Sequence, residues 1–148
     1  MPVLVPPVQT ALWAVGQQVA ARALGGRRRP GRLSAAAAVT CIGVGAATAA
    51  TAVRRFTGAG TTYEPWEPER ASVLVTDGPN AFTRNPMYLG LTLVLVGNGL
   101  LTGRPATCLA AAGLVTTLTP QIRREEAALA GIFGPEWTAY SGRVRRWL

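Results

Sequence analysis

The stretch LSAAAAVTCIGVGAATAATAV, Leu33 to Val53, runs for 21 residues without a charge. Coiled as a helix it reaches roughly 31 Å, enough to cross the hydrocarbon core of a bilayer. It is crowded with small residues, among them Ala35 to Ala38, Gly43, Gly45, Ala46, Ala47, Ala49 and Ala50. Small side chains let membrane helices approach closely, so this span packs against neighbours rather than facing lipid all round. The fold class that follows is all-α, an integral-membrane helical bundle completed by the apolar stretches on either side.

Upstream, residues 3–24 form a first apolar stretch, with Pro6-Pro7 in a first turn where proline is tolerated. Gln17, Gln18 and Arg22 weaken it as a span. Ala21-Arg22-Ala23 resembles a signal-peptidase site, but no basic residue precedes the apolar part, so a retained first helix is expected. Residues 25–32 are a Gly/Arg/Pro connector to the second helix, and residues 1–53 hold both helices.

Downstream, residues 54–86 read as an ordered, largely extended cytoplasmic linker, with Pro65, Pro68, Pro79 and Pro86 and the turn signal Asp77-Gly78-Pro79-Asn80. Ser72-Val73-Leu74-Val75 is strand-like but has no partner strand. Residues 87–119 form a helical hairpin, Met87 to Leu101 and Pro105 to Thr119, joined at Thr102-Gly103-Arg104. Each arm is about 15 residues, or roughly 22 Å, so it borrows flanking residues, thins the bilayer or barely spans. In residues 120–148, Ile122, Leu129, Ile132 and Phe133 recur at helical spacing until Gly134-Pro135. Beyond that stop, Trp137, Tyr140, Val144 and Trp147 form a stripe opposite Arg143, Arg145 and Arg146, the pattern of an interfacial helix. One domain of 148 residues is expected, with about four transmembrane helices plus that C-terminal element.

Composition supports the membrane reading and excludes several chemistries. The charged share is 15%, well below the roughly 25% of soluble domains. All fifteen basic residues are Arg, a bias that base composition explains as readily as function. The net charge of +8 raises nucleic acid as a partner, yet the Arg residues fall in short groups between apolar spans, which suits anionic membrane lipids instead. No nucleic-acid partner is expected. Cys41 and Cys108 lie far apart in apolar runs and there is no His, so no metal site is expected and no His base or triad is available.

Chemistry concentrates at the two ends of the hairpin. Thr83-Arg84-Asn85-Pro86-Met87-Tyr88-Leu89-Gly90 enters it, and Ile122-Arg123-Arg124-Glu125-Glu126 leaves it. Charge beside a lipid-embedded element is costly and is usually kept for function. Each residue also has a plainer reading. Glu125-Glu126 can be a solvated helix face, Gly97-Asn98-Gly99 a helix-packing motif, Asn85-Pro86 a cap, and Tyr88 an interfacial anchor.

The two segments together resemble the signature of integral-membrane methyltransferases, the isoprenylcysteine carboxyl methyltransferase and phospholipid methyltransferase-like family in its bacterial form. The resemblance rests on Asp77-Gly78-Pro79 with Arg84-Asn85-Pro86 and Tyr88-Leu89-Gly90, then Arg124-Glu125-Glu126, Leu129, Phe133-Gly134, Trp137, Tyr140 and Val144-Arg145-Arg146-Trp147. Gly60-Thr61 and Trp66 add to it, and it covers residues 60–148. Asn85 stands where many members have His, and Asn80-Ala81 where an aromatic and a basic residue are common. The resemblance implies transfer of a methyl group from S-adenosylmethionine to a lipophilic, membrane-partitioned small molecule at the cytoplasmic face of a bacterial inner membrane. It implies catalytic roles for Arg84, Asn85 and Tyr88. Cofactor contacts fall to Arg84, Pro86, Gly97, Gly99, Glu125 and Glu126, with Arg84 forking onto a carboxylate and a glutamate accepting from ribose or amino groups. A non-catalytic scaffold that keeps the fold is the alternative; a reductase has no dinucleotide signature to support it. With the N-terminus cytoplasmic, the linker and tail carry nine Arg inside against five in the outer loops, although the Arg27 cluster opposes that orientation.

Overall fold

The structure, a computed structural model, describes residues 5–61 and 68–148. Four helices follow one another: α1 (Pro6–Ala23), α2 (Arg32–Gly58), α3 (Pro86–Leu101) and α4 (Leu109–Arg143). Short 3-10 turns lie at Pro68–Arg70, Gly78–Ala81 and Pro105–Cys108, and no strand occurs among the described residues. The expected all-α class holds. Pro6 and Pro86 open α1 and α3, where the missing N–H would have had no helical partner anyway.

Helix α1 is polar inside and apolar outside. Val8, Leu12, Val15 and Val19 are 44–61% exposed along one face, while Gln9 and Gln17 are buried on the other. Gln17 Nε2 donates to the carbonyls of Leu95 (2.8 Å) and Thr107 (3.1 Å), and its Oε1 accepts from Asn98 Nδ2 at 2.6 Å. Gln17, which weakens this stretch as a span in sequence, is therefore satisfied within the bundle. An apolar outer face around a hydrogen-bonded interior is what a lipid solvent selects. Helix α2 is long and apolar enough to cross a membrane, and α3 is a shorter apolar helix.

Helices α2 and α3 meet along a seam of small residues. A Cβ on Gly45 would lie 2.5 Å from Gly90 O, and one on Gly90 would strike Gly45 O and lie 2.9 Å from Ala49 Cβ. Behind that seam, Tyr88, Leu95, Ala111, Leu114, Leu118 and Ile122 form the core between α3 and α4, with Trp13 of α1 packed against it. At the end of the bundle away from Tyr88, the connectors interlock through fixed donors. Arg28 N donates to Thr102 O at 2.9 Å, Arg104 Nε to Gly26 O at 3.0 Å, and Thr102 and Thr107 hydroxyls share a 3.0 Å hydrogen bond.

Several expected boundaries move. Helix α2 continues past Val53 to Gly58 because Arg54 and Arg55 are exposed and cost nothing on a solvated turn, so the linker starts at residue 59 rather than 54. The second hairpin arm and residues 122–133 are one helix, α4, which runs through Pro120. Its only non-helical dihedrals are at Gly134 (φ 48°, ψ −116°), a conformation open to glycine, so Gly134-Pro135 bends the helix instead of ending it. The bend turns the expected interfacial stripe inward. Trp137, Tyr140 and Val144 are buried against Leu74, Leu129 and Phe133, and Arg143 and Arg145 alone of that group of arginines are exposed. The segment Ser72–Val75 pairs with no strand; Thr61 Oγ1 holds it by accepting from Ser72 N (3.0 Å) and Val73 N (3.3 Å). Trp66 lies outside the described residues.

Gly90→Ala is expected to lower the unfolding free energy in detergent by about 1–3 kcal/mol, the usual range for overpacking. Gly16→Ala, where a Cβ meets nothing within 4 Å, should leave it unchanged or slightly raised. Denaturant titration of the two variants side by side checks this.

Candidate functional site

The α4 helix places Gln121 and Glu125 four residues apart on the face toward α3. Tyr88, in the first turn of α3, donates its hydroxyl to Glu125 Oε1 at 2.5 Å. Gln121 Nε2 donates to both, 3.1 Å to the Tyr88 hydroxyl and 3.1 Å to Glu125 Oε1. Tyr88 is 3% exposed, so it is a buried partner of Glu125 and not an interfacial anchor. Burial pushes the Glu125 carboxyl up to about 7; hydrogen bonds from Tyr88 and Gln121 oppose the rise, and the neighbouring Glu126 charge adds to it.

Glu126 has the opposite environment. Arg84 donates to its Oε1 from Nη2 (2.9 Å) and Nε (3.1 Å), and Arg146 donates to its Oε2 from Nη2 at 2.6 Å. Burial works to raise this carboxyl, but the bonds and charges of Arg146 and Arg84 outweigh it and hold the group below the ordinary carboxylate range. Adjacent acids on one helix are thus driven apart, one toward neutrality near pH 7 and the other firmly ionised. A solvated helix face does not do this. Here Arg123 and Arg124 occupy the solvated face and the two glutamates turn inward.

Arg84 also stitches the tail to α3. Its Nη1 donates to the carbonyls of Ser141 (2.8 Å) and Val144 (3.1 Å), and its guanidinium lies 5.7 Å from the centre of the Trp137 ring. Four of its five N–H groups are committed, leaving one for a ligand. Asn85 stands at the N-cap of α3 but makes no side-chain cap; its Nδ2 donates to Arg146 O at 3.0 Å, beside the Thr83 hydroxyl at 3.1 Å.

One pocket gathers Arg84, Asn85, Pro86, Tyr88, Glu125 and Glu126. Arg84, Glu125 and Glu126 supply its charge, and Phe56, Leu74, Val75, Leu129, Trp137 and Tyr140 also line it. Gly97 and Gly99 do not belong to it. They lie roughly 14 Å and more beyond Tyr88 along α3. A Cβ on Gly97 would be 2.7 Å from Ala38 O, and one on Gly99 would be 2.9 Å from Gln17 Nε2, so both stand at close contacts between helices. Sequence reasoning missed Gln121, although its i, i+4 spacing from Glu125 marks it. It also sent Arg146, Trp137 and Tyr140 to the membrane surface, because no local pattern reveals that the chain folds back at Gly134. Asn80 is the other wall residue missed: its side-chain Oδ1 is buried without a hydrogen-bond partner among the described residues.

Among the described residues, acceptors without a hydrogen bond in the pocket are Glu125 Oε2, Asn80 Oδ1 and the Asn85 amide oxygen, and Arg84 keeps one N–H donor. Such a set fits a molecule bearing donor groups together with a carboxylate, flanked by an aromatic wall. Below pH 7 Glu125 is expected to carry a proton. Its carboxylic-acid stretch in infrared difference spectra should vanish with a midpoint near 7 and be absent in Glu125→Gln. Because the folded state keeps that proton longer than the unfolded chain, Glu125 stabilises the fold below about 4.5 and loses that contribution as pH rises through about 7. Glu126 does the reverse, stabilising above the ordinary value and losing it as pH falls.

The profile of the phospholipid methyltransferase family matches residues 33–136, from the start of α2 to just past the bend in α4. No curated protein and no solved structure matches the chain.

Proposed function

The chain belongs to the phospholipid methyltransferase family, whose members methylate membrane lipid-like substrates, and on that premise we propose an S-adenosylmethionine-dependent methyl transfer in the pocket between α3 and α4. The observation that carries it is the pair of adjacent glutamates held in opposite protonation environments in one pocket with Tyr88, Arg84 and Asn85. When bound, the cofactor supplies an activated methyl on a sulfonium, so the protein's share is positioning, exclusion of water and handling of the acceptor's proton.

Glu125 is the group that meets the reactants. Its Oε1 is tied to Tyr88 and Gln121, while Oε2 makes no hydrogen bond among the described residues. A carboxylate with a pKa about 7 is matched to taking a proton from an N–H, S–H or O–H nucleophile at neutral pH. This favours an acceptor that loses a proton on methylation over a carboxylate already ionised. Tyr88 and Gln121 orient Glu125. Glu126 is a positioning residue: both of its oxygens are filled by Arg84 and Arg146, and it holds α3, α4 and the tail in register. Arg84 keeps one N–H for a ligand carboxylate, and Asn85 its amide oxygen. Leu74, Leu129 and Trp137 give a lipophilic substrate an apolar wall.

The site end of the bundle is assigned to the cytoplasm. Residues 77–85 and 141–146 touch one another there, through Arg84 N to Arg145 O at 2.9 Å, and Arg55 of α2 pairs with Asp77 at 2.6 Å on the rim. Cysteines introduced at Asp77 and Ser141 are expected to react with an impermeant reagent from the cytoplasmic side, and one at Gly31 from the opposite side. Labelling of Asp77 and Ser141 from different faces would rule the shared site out.

Calorimetric titration of the purified protein in nanodiscs is expected to show saturable binding of S-adenosylmethionine and of S-adenosylhomocysteine. Glu125→Gln should weaken it by about 1.5–3 kcal/mol, the worth of a hydrogen bond to a charged group. Absence of saturable binding at millimolar concentration would remove the methyl-transfer reading and leave the scaffold alternative.

A further inference from the structure

Asn80 sits in the 3-10 turn Gly78–Ala81, and its backbone is held on both sides. Asn80 N donates to Asp77 O at 3.1 Å, and Asn80 O accepts the Tyr140 hydroxyl at 2.8 Å. The residue is 3% exposed and lines the pocket, yet its Oδ1 has no donor among the described residues. A buried acceptor left unpaired carries its full desolvation penalty, and native structures rarely keep one without a use. Neither the Arg84–Glu126–Arg146 cluster nor the Tyr88–Glu125 pair employs it.

Its surroundings select the donor. Asn80 shares the pocket lining with Leu74, Val75, Trp137 and Tyr140, and the last of these bonds to its backbone carbonyl; the Trp137 and Tyr140 rings are in an edge contact 5.8 Å between centres. An ammonium or a ribose hydroxyl binds more strongly to a carboxylate, and Glu125 offers one in the same pocket. A donor that comes instead to a neutral amide oxygen beside aromatic and aliphatic side chains is an N–H on a flat, weakly polar ring. The exocyclic amino group of adenine has that chemistry, and asparagine reads its edge in other settings.

We propose that Asn80 Oδ1 accepts the 6-amino N–H of the cofactor's adenine, which makes Asn80 a specificity-determining residue for the purine. This rests on the methyl-donor reading above and deepens it.

The test is calorimetric, with the full chain in nanodiscs and two probes, S-adenosylhomocysteine and S-inosylhomocysteine, which carries a carbonyl in place of the amino group. Wild type should bind the adenosyl compound about tenfold or more tightly than the inosyl compound, the effect of one buried hydrogen bond. Asn80→Leu should lose that preference through weaker binding of the adenosyl compound, and Asn80→Asp, which keeps an acceptor, should retain it. Equal binding of both probes by wild type overturns the assignment while leaving the methyl-donor reading intact, and needs no variant to fold. An unchanged preference in Asn80→Leu overturns it equally. If wild type binds neither probe, the methyl-donor reading fails and the assignment falls with it.

Discussion

A single carboxylate, that of Glu126, joins three parts of the chain that are remote in sequence. Arg84 reaches it from the start of α3 and Arg146 from the tail, while Glu126 itself is on α4. With side chains only 13–14% exposed at Arg84 and Glu126, this is a largely desolvated cluster. Removing one partner of such a pair strands the other charge, at a cost of about 3–5 kcal/mol. The pocket depends on the clamp. It holds Glu125 one residue away against Tyr88, brings Trp137 under the Arg84 guanidinium, and closes the tail over the apolar wall. The cluster is therefore better understood as a device for geometry than as a source of net stability, since buried ion pairs rarely exceed their desolvation cost.

The second constraint is the solvent. With lipid outside, the bundle has no hydrophobic reason to associate, and contact must come from close backbone approach and internal hydrogen bonds. Both are present. The Gly45–Gly90 seam lets α2 and α3 touch backbone to backbone, and Gln17 bonds to Leu95, Thr107 and Asn98 from a helix whose valines face outward.

Legibility in the sequence followed the range of the interactions. The uncharged run from Leu33 to Val53 and the prolines that open α1 and α3 are local signals, and they placed the helices well. The motif residues Arg84, Asn85, Pro86, Tyr88, Glu125 and Glu126 do share one pocket, because a tight turn at Thr102-Gly103-Arg104 returns α4 alongside α3. Gly97-Asn98-Gly99 kept two readings because a glycine needed for helix contact and a glycine needed for ligand approach look alike in one dimension. The tail misled for a related reason. An apolar stripe opposite arginines fits a membrane surface or a protein interior equally, and the choice was made by the φ of 48° at Gly134. The different fates of Glu125 and Glu126 could not be read at all, since they are set by Tyr88 and by two arginines from distant segments.

The two ends of the bundle are fastened by different chemistry. At the distal end, Arg28 N, Thr102, Thr107 and Arg104 bond to carbonyls and to each other, with no acid or other group that titrates near neutral pH among those contacts. At the site end the fastenings are ion pairs and a carboxyl that changes charge near neutrality. Proton concentration and incoming ionic ligands therefore act on one end alone. The connectors at residues 25–31 and 102–104 are thus held in registry by contacts indifferent to pH near neutrality, whereas the start of α3 and the folded-back tail are held together by charge.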